Sequence, residues 1–144
     1  MKVIGIISSP HADGNGAALV REALKGAAEA GASVQEVFLP SLRIEFCRDC
    51  HACMTSGHCA VQDDFPKLRE LLCEADGIIL GSPTYACAPC ARMKNLFDRL
   101  GMFAWMTSTF GGKYLAGMTT ASSFGAAKAA KQLATTLRDS VFRR

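Results

Sequence analysis

A chain of 144 residues, 49% of them apolar and 20% charged, has the size of one domain with its own hydrophobic core. The net charge of +3 is mild, with no basic run or aromatic–basic patch and no apolar stretch long enough to cross a bilayer, so neither nucleic acid nor membrane is expected as a partner. Seven cysteines behind an N-terminus (MKVIGIISSP) without a secretion signal imply the reducing cytoplasm, and metal or redox use in place of structural disulfides.

Val3-Ile4-Gly5-Ile6-Ile7 is a continuous β-branched run, the pattern of a strand buried on both faces. Ser8-Ser9-Pro10 ends it, and Gly14-Asn15-Gly16 leads into a helical pattern. There Leu19, Val20, Ala23, Leu24, Ala27 and Ala28 share one face, with Arg21, Glu22, Lys25 and Glu29 opposite, until Gly31. Residues 33–39 predict a second, more polar strand at a sheet edge, stopped by Pro40.

Residues 40–62 are too long for an ordinary connection and carry Cys47, Cys50, Cys53 and Cys59 in the spacing C-x2-C-x2-C-x5-C. Four thiols so close together cannot follow one face of a helix or strand; the chain must curl round something, with Gly57 helping the last one to turn back. Three thiols at x2 spacing resemble the compact ferredoxin-like run that holds a [4Fe-4S] cluster. Zinc, which usually takes two C-x2-C pairs set well apart, is the second reading, and a merely thiol-rich or disulfide-laced loop the third.

Asp63 or Asp64 can cap the next helix, whose Leu68, Leu71, Leu72 and Ala75 face inward, with Cys73 as core filler. Residues 77–80 predict a buried third strand running into Gly81-Ser82-Pro83-Thr84-Tyr85. A helix with Met93, Leu96, Phe97 and Leu100 on one face, a fourth strand at 114–118, a small-residue loop at 119–125 and a last helix from about Ala126 complete the chain. This βαβαβαβα order makes one parallel sheet with helices on both faces, joined by right-handed crossovers. Ligands of such sheets sit beyond the carboxyl ends of the strands. The loops at 8–16, 82–90 and 119–125 therefore share one rim with the cysteine loop.

Gly81-Ser82-Pro83-Thr84-Tyr85, followed by Met93-Lys94-Asn95-Leu96-Phe97-Asp98-Arg99, resembles the GSPxY…MKxFxDR signature of the NADPH-dependent FMN reductases. Ile6-Ile7-Ser8-Ser9-Pro10 with Gly14-Asn15 is similar to the phosphate-binding loop of that family, and Cys47 to Cys59 followed by Asp63-Asp64 resembles its iron–sulfur flavoprotein subgroup. The resemblance implies a single α/β domain over 1–144, a flavodoxin-like three-layer sandwich; members of the family usually continue into a fifth strand and helix, whereas the order expected here is 2-1-3-4 without that fifth strand. It implies FMN at the sheet rim, its phosphate on Ser9, His11, Gly14, Asn15 and Gly16. The flavin ring would lie against Ser82, Pro83, Thr84, Tyr85 and Ala86, with Thr119 and Ser122 across from it. A [4Fe-4S] cluster on Cys47, Cys50, Cys53 and Cys59 completes the implied cofactors, with zinc the lesser occupant.

Two departures bear on function. His11 stands where the family usually has arginine, and Gly16 where it has threonine or serine, so the phosphate loop lacks a fixed cation and a hydroxyl. Each such charge-assisted bond is worth about 1.5–3 kcal/mol, which predicts loosely held FMN. Cys87 and Cys90 form a further C-x2-C, either a dithiol facing the flavin or small thiols packed beneath it. Asp98 and Arg99 read as anchors of their helix or of an oligomer contact, not as chemical groups.

The expected function is an electron-transferring FMN oxidoreductase that needs no catalytic acid, base or nucleophile, with NAD(P)H or a ferredoxin-like protein as donor. The alternatives are an NAD(P)H-dependent FMN or quinone reductase without a cluster, and a metal-binding or redox-sensing module that no longer holds FMN. A homo-oligomer, dimer or tetramer, is expected, because strand 114–118 reads as an unprotected edge beside Phe103, Trp105, Met106 and Phe110.

Overall fold

A computed structural model describes residues 1–106 and 110–140, and the side chains of all of these except 102–106 and 137–140. The strands are β1 (Lys2–Ile7), β2 (Ser33–Phe38), β3 (Gly77–Tyr85), β4 (Ala88–Pro89) and β5 (Tyr114–Thr120). The helices are α1 (Asn15–Glu29), α2 (Ala52–Ser56), α3 (Phe65–Glu74), α4 (Ala91–Met106) and α5 (Ala126–Ser140). A short 3-10 turn at Leu39–Ser41 closes β2.

The main sheet runs β2-β1-β3-β5 with every pairing parallel, which is the expected 2-1-3-4 order once β4 is set aside. Alternation along β1 explains why its run is apolar throughout. Val3 and Ile7 face α1 with Val20, Leu24 and Ile79, whereas Ile4 and Ile6 face α3 and α4 with Phe65, Leu72, Leu80, Met93 and Leu96. Both faces of the central strands are therefore covered.

Two glycines set how closely α1 lies on the sheet. A Cβ at Gly81 would stand 2.3 Å from Val20 Cγ2, and one at Gly5 would stand 2.7 Å from both Val20 and Leu24. This approach carries the N-terminus of α1 up to the ends of β1 and β3.

The structure differs from the sequence reading in three places. Segment 82–85, read as loop, continues β3, and β4 folds back on it in an antiparallel hairpin pairing Tyr85 with Ala88. The turn between them puts Ala86 (φ 50°) and Cys87 (φ 60°) in the left-handed region. A two-residue turn of that kind normally announces itself with Asn-Gly, and Ala-Cys gave no such signal. Thr119 likewise belongs to β5 rather than to the following loop.

The third difference concerns the expected self-association surface. Phe110 is 1% exposed and lies in the protein's own core, so it contributes nothing to an outer apolar patch. The side chains of Phe103, Trp105 and Met106 fall outside the described residues. Among the described residues β5 pairs with β3 alone, and its Tyr114 is 74% exposed. Helix α5 packs on the α4 side of β5, with Leu133 over Gly117.

Candidate functional site

The loop between β1 and α1 gathers hydroxyls and backbone amides at the start of a helix. Ser8 and Ser9 are buried, and Ser8 Oγ donates to Gly81 O (2.9 Å), tying the end of β1 to β3. Ser9 Oγ accepts from the His11 amide (3.1 Å), while His11 and Asn15 are exposed at the mouth. Gly14 precedes α1 in extended conformation, and its carbonyl accepts from the amides of Ala17 (2.9 Å) and Ala18 (3.0 Å). The first turn of α1 holds no acidic residue, so nothing there opposes the positive helix end.

The missing cation at position 11 has a partial counterpart that the sequence did not reveal. Arg21, one helical turn and more into α1, donates to Ala12 O (2.8 Å) and forms a two-pronged bond with Glu36 (2.8 Å for each prong). With its charge taken by Glu36 and, at 3.8 Å, by Asp13, Arg21 braces the loop instead of offering a free charge to a ligand. The Glu36 carboxyl is held below its usual range chiefly by that hydrogen bond.

The loops after β3 and β5 form the second wall. Ser82 Oγ is enclosed, accepting from the Cys90 amide (3.0 Å) and donating to Pro83 O (3.0 Å), so it shapes the hairpin and does not face outward. Thr84 Oγ1 is buried without a hydrogen-bond partner, and Tyr85 projects with half its surface exposed. Thr119 Oγ1 donates to Ala126 O (3.0 Å), closing the β5 loop, while Ser122 is exposed on it. The two loops are locked together. A Cβ at Gly125 would stand 3.0 Å from both Cα and Sγ of Cys87, and Gly125 itself has φ +90°. Across the rim, a Cβ at Gly16 would meet Thr120 Oγ1 at 3.4 Å, which brings the β1 and β5 loops within one ligand's width.

Cys87 and Cys90 do not face one another as a pair. Cys87 packs on Gly125, whereas Cys90 is buried with its Sγ 3.2 Å from Ser8 Oγ. Both are free thiols, as are all seven cysteines. Cys73 is partly buried against the core, and burial pushes its thiol up, as suits an inert filler.

The cysteine loop is a bight with a closed neck. Residues 43–45 and 63–64 bind each other: Asp64 N donates to Arg43 O (3.0 Å), Arg43 N to Asp64 Oδ2 (2.8 Å) and Glu45 N to Asp63 Oδ2 (2.9 Å). Asp63, rather than Asp64, satisfies the start of α3, its Oδ1 accepting from the Phe65 amide (3.1 Å). Helix α4 grips the same neck. Asn95 Nδ2 donates to Ile44 O (2.9 Å), and Arg99 reaches Glu45 O (2.6 Å), Asp63 (2.6 and 3.1 Å) and the sulfur of Cys59 (3.3 Å). The guanidinium lies 4.4 Å from the centre of the Phe65 ring. Arg99 thus anchors more than its own helix. Burial would lift the Asp63 carboxyl, but Arg99 and the two backbone amides outweigh it and hold the group below its ordinary value.

Inside the bight, Asp49 (φ 50°) and His51 (φ 56°) are left-handed, a conformation that Asp and His adopt more readily than most residues. Cys53 lies on the single-turn α2, and Gly57 (φ 72°) ends that turn and redirects the chain to Cys59. Cys47 and Cys50 are exposed, while Cys53 and Cys59 lean on the core. Burial pushes the Cys53 thiol up, and Cys59, Cys47 and Cys50 push it the same way, so the other three sulfurs all lie within electrostatic reach of Cys53. His51 and His58 stay exposed on the loop. Among the described residues no three His, Cys, Asp or Glu side chains converge tightly enough to hold a single metal ion. Four neighbouring free thiols, one already taking a hydrogen bond from a cation, have the donor chemistry of an iron–sulfur centre, which is wider than one ion. In the same way the β1–α1 loop has the amides and hydroxyls to suit a flavin phosphate, and the Thr84 hydroxyl, without a partner among the described residues, suits the polar edge of a flavin ring.

A cleft of about 380 Å³ opens between the β1 and β3 loops and the stretch that leads into the cysteine loop. Pro10 and Tyr85 line it from the β1 and β3 loops, Ile44 and Phe46 from the approach to Cys47, and Arg92 and Asn95 from α4. Cys90 lines it as well, whereas Cys47, Cys50, Cys53 and Cys59 do not.

The sequence matches the profile of NADPH-dependent FMN reductases over residues 1–142. The chain belongs to this family. An iron–sulfur flavoprotein of Methanocaldococcus jannaschii is 43% identical over 99 residues, 69% of this chain and 51% of that protein. Among solved structures, RosB with a bound formylriboflavin phosphate intermediate superposes with a TM-score of 0.81 at 14% identity, covering 99% of this chain and 61% of that one. The NAD(P)H:quinone oxidoreductase of Methanothermobacter marburgensis gives 0.69 at 18% identity, covering 96% and 76%. These two likenesses show the flavodoxin-like fold. The chain spans about half the length of the curated relatives it matches, 51%, 46% and 52% for three of them. No helix among the described residues is long and apolar enough to cross a membrane.

Proposed function

We propose that this chain is an FMN-dependent oxidoreductase that carries an iron–sulfur centre beside its flavin and moves electrons between the two. One observation carries the reading: a single cleft is walled by Pro10 and Tyr85 of the flavin rim and by Ile44 and Phe46 of the stretch entering the cysteine loop. FMN phosphate would be held by Ser9, Gly14, Asn15, Gly16 and the first amides of α1, with His11 at the mouth. The ring would be held against Pro83, Thr84, Tyr85 and Ala86, with Thr119 and Ser122 opposite. Cys47, Cys50, Cys53 and Cys59 would hold a [4Fe-4S] cluster. When bound, FMN supplies the junction between two-electron and one-electron chemistry, and the cluster a single-electron store. The chain's own part is to bind, orient and shield: the Arg99 clasp fixes the neck of the thiol loop, and the Cys87–Gly125 contact fixes the flavin loops.

The family supports a nicotinamide donor, with a ferredoxin-like protein as the one-electron alternative. Location in the cytoplasm and a symmetric dimer or tetramer joined through the β5 edge complete the proposal. The test is anaerobic reduction of the FMN-loaded protein by NAD(P)H and, separately, by a reduced ferredoxin. Flavin bleaching by either donor is expected. A Cys50→Ser/Cys53→Ser protein should keep the nicotinamide route and lose the ferredoxin route. Bleaching by neither donor would defeat the proposal.

A further inference from the structure

Arg99, the last residue of the signature on α4, makes four side-chain hydrogen bonds. It is 2% exposed, yet every bond it makes leads toward the cysteine loop and none toward the flavin rim. One nitrogen, Nη1, is spent on Glu45 O and Asp63 Oδ2; the other, Nη2, is shared between Asp63 Oδ1 and Cys59 Sγ. Were the residue a structural staple alone, the Asp63 fork and the Glu45 bond would suffice. The additional contact on sulfur places a fixed N–H donor and a positive charge, shielded from water, against one of the four thiols.

We infer that Arg99 and Asp63 together set the reduction potential of the centre held by the cysteine loop, with Arg99 raising it through Cys59 and Asp63 holding that effect in check. The inference rests on the iron–sulfur reading and goes beyond it. Reduction adds one electron, with no proton required, and the added negative charge spreads onto the ligand sulfurs. A donor and a cation at Cys59 favour the reduced state, as hydrogen bonds to ligand sulfurs and local net charge do in general. The Asp63 side chain, wholly enclosed and bonded to the same guanidinium, subtracts from that field. Arg99 is a positioning residue by this account: it acts through Cys59 and touches no substrate.

The pair makes a signed prediction that a merely structural clasp does not. Arg99→Gln removes the donor cation and leaves Asp63 unbalanced, so the potential falls. Asp63→Asn keeps a similar shape but releases the full charge of Arg99, so the potential rises. Potentiometric titration with dithionite, followed by electron paramagnetic resonance of the reduced cluster, reads both. The expected change is about tenfold in the reduced-to-oxidised ratio at fixed poise in each direction, about 59 mV for a one-electron couple. Arg99→Lys, which still balances Asp63 but loses the second prong, should shift in the Gln direction by less, and it decides the matter if the Gln variant loses its iron. Iron content and flavin content are measured on every variant first. Cluster-loaded variants that all shift the same way, or do not shift, overturn the inference while leaving the cluster reading intact. A wild-type protein without iron overturns the cluster reading, and this inference with it.

Discussion

Gly81→Ala tests whether the close seat of α1 on the sheet is what presents the phosphate cradle. The new methyl would lie 2.3 Å from Val20 Cγ2, with Gly16 O at 3.4 Å and Ile6 O at 3.5 Å, where ordinary contact begins near 3.4 Å. Val20 is fully buried and β-branched, so it has no free rotamer to escape into, and α1 must lift by about an ångström. Overpacking of this kind costs about 1–3 kcal/mol. The helix end moves with it, so FMN affinity should fall by about tenfold, the equivalent of roughly 1.4 kcal/mol. Val20→Ala removes the clashing methyls at the expense of a cavity. In the double variant the two defects should compensate, giving a coupling of about 1 kcal/mol or more in urea unfolding followed by circular dichroism. FMN affinity, read by fluorescence quenching, should recover in parallel. Strict additivity of the two stability changes, or unaltered FMN binding in Gly81→Ala, would refute the reasoning.

Individual Cys→Ser changes at Cys47, Cys50, Cys53 and Cys59 should abolish iron and sulfide binding by chemical assay, whereas Cys73→Ser should leave both intact. His11→Arg with Gly16→Thr should tighten FMN by about tenfold or more, since each restored charge-assisted bond is worth roughly 1.5–3 kcal/mol; the 3.4 Å clearance to Thr120 Oγ1 leaves room for the new Cβ, and isothermal titration calorimetry gives the answer. Because the folded-state carboxyl of Asp63 is depressed, the stability it contributes is complete above its unfolded pKa of about 3.9 and is lost as pH falls through the folded value. Acid titration of the metal-free protein should therefore loosen the neck of the cysteine loop below about pH 4, seen as faster thiol labelling of Cys59 after correction for reagent pH dependence. In the metal-free protein, where no ligand bonds hold the loop, Asp63→Asn should show fast labelling already at neutral pH, with no further acid step in this window.

The parallel sheet was legible because its strands are buried on both faces: Val3 to Ile7 and Ile78 to Leu80 had no polar alternation to suggest anything else. The rim followed from topology alone, since every loop after a strand must open at the carboxyl edge. What escaped the sequence depended on contacts between distant residues. Nothing local to Arg99 says that its guanidinium reaches Glu45 and Cys59, 54 and 40 positions away. The Arg21 brace on Ala12 was hidden because its partners lie on a loop and on β2. The Ala86-Cys87 turn was missed for another reason. Its residues carry no turn preference, and the conformation is held by pairing of Tyr85 with Ala88 and by packing on Gly125. Phe110 was misplaced because an apolar residue near a helix end reads the same whether it turns outward or into the core.

The account stands most directly on the composition of the protein purified without oxygen. Iron, acid-labile sulfide, zinc and flavin, assayed on one preparation after reconstitution with FMN, should give four iron and four sulfide for each FMN, with zinc absent. One zinc and no sulfide per chain, or flavin bound with the four thiols of Cys47, Cys50, Cys53 and Cys59 all freely titratable, would contradict it.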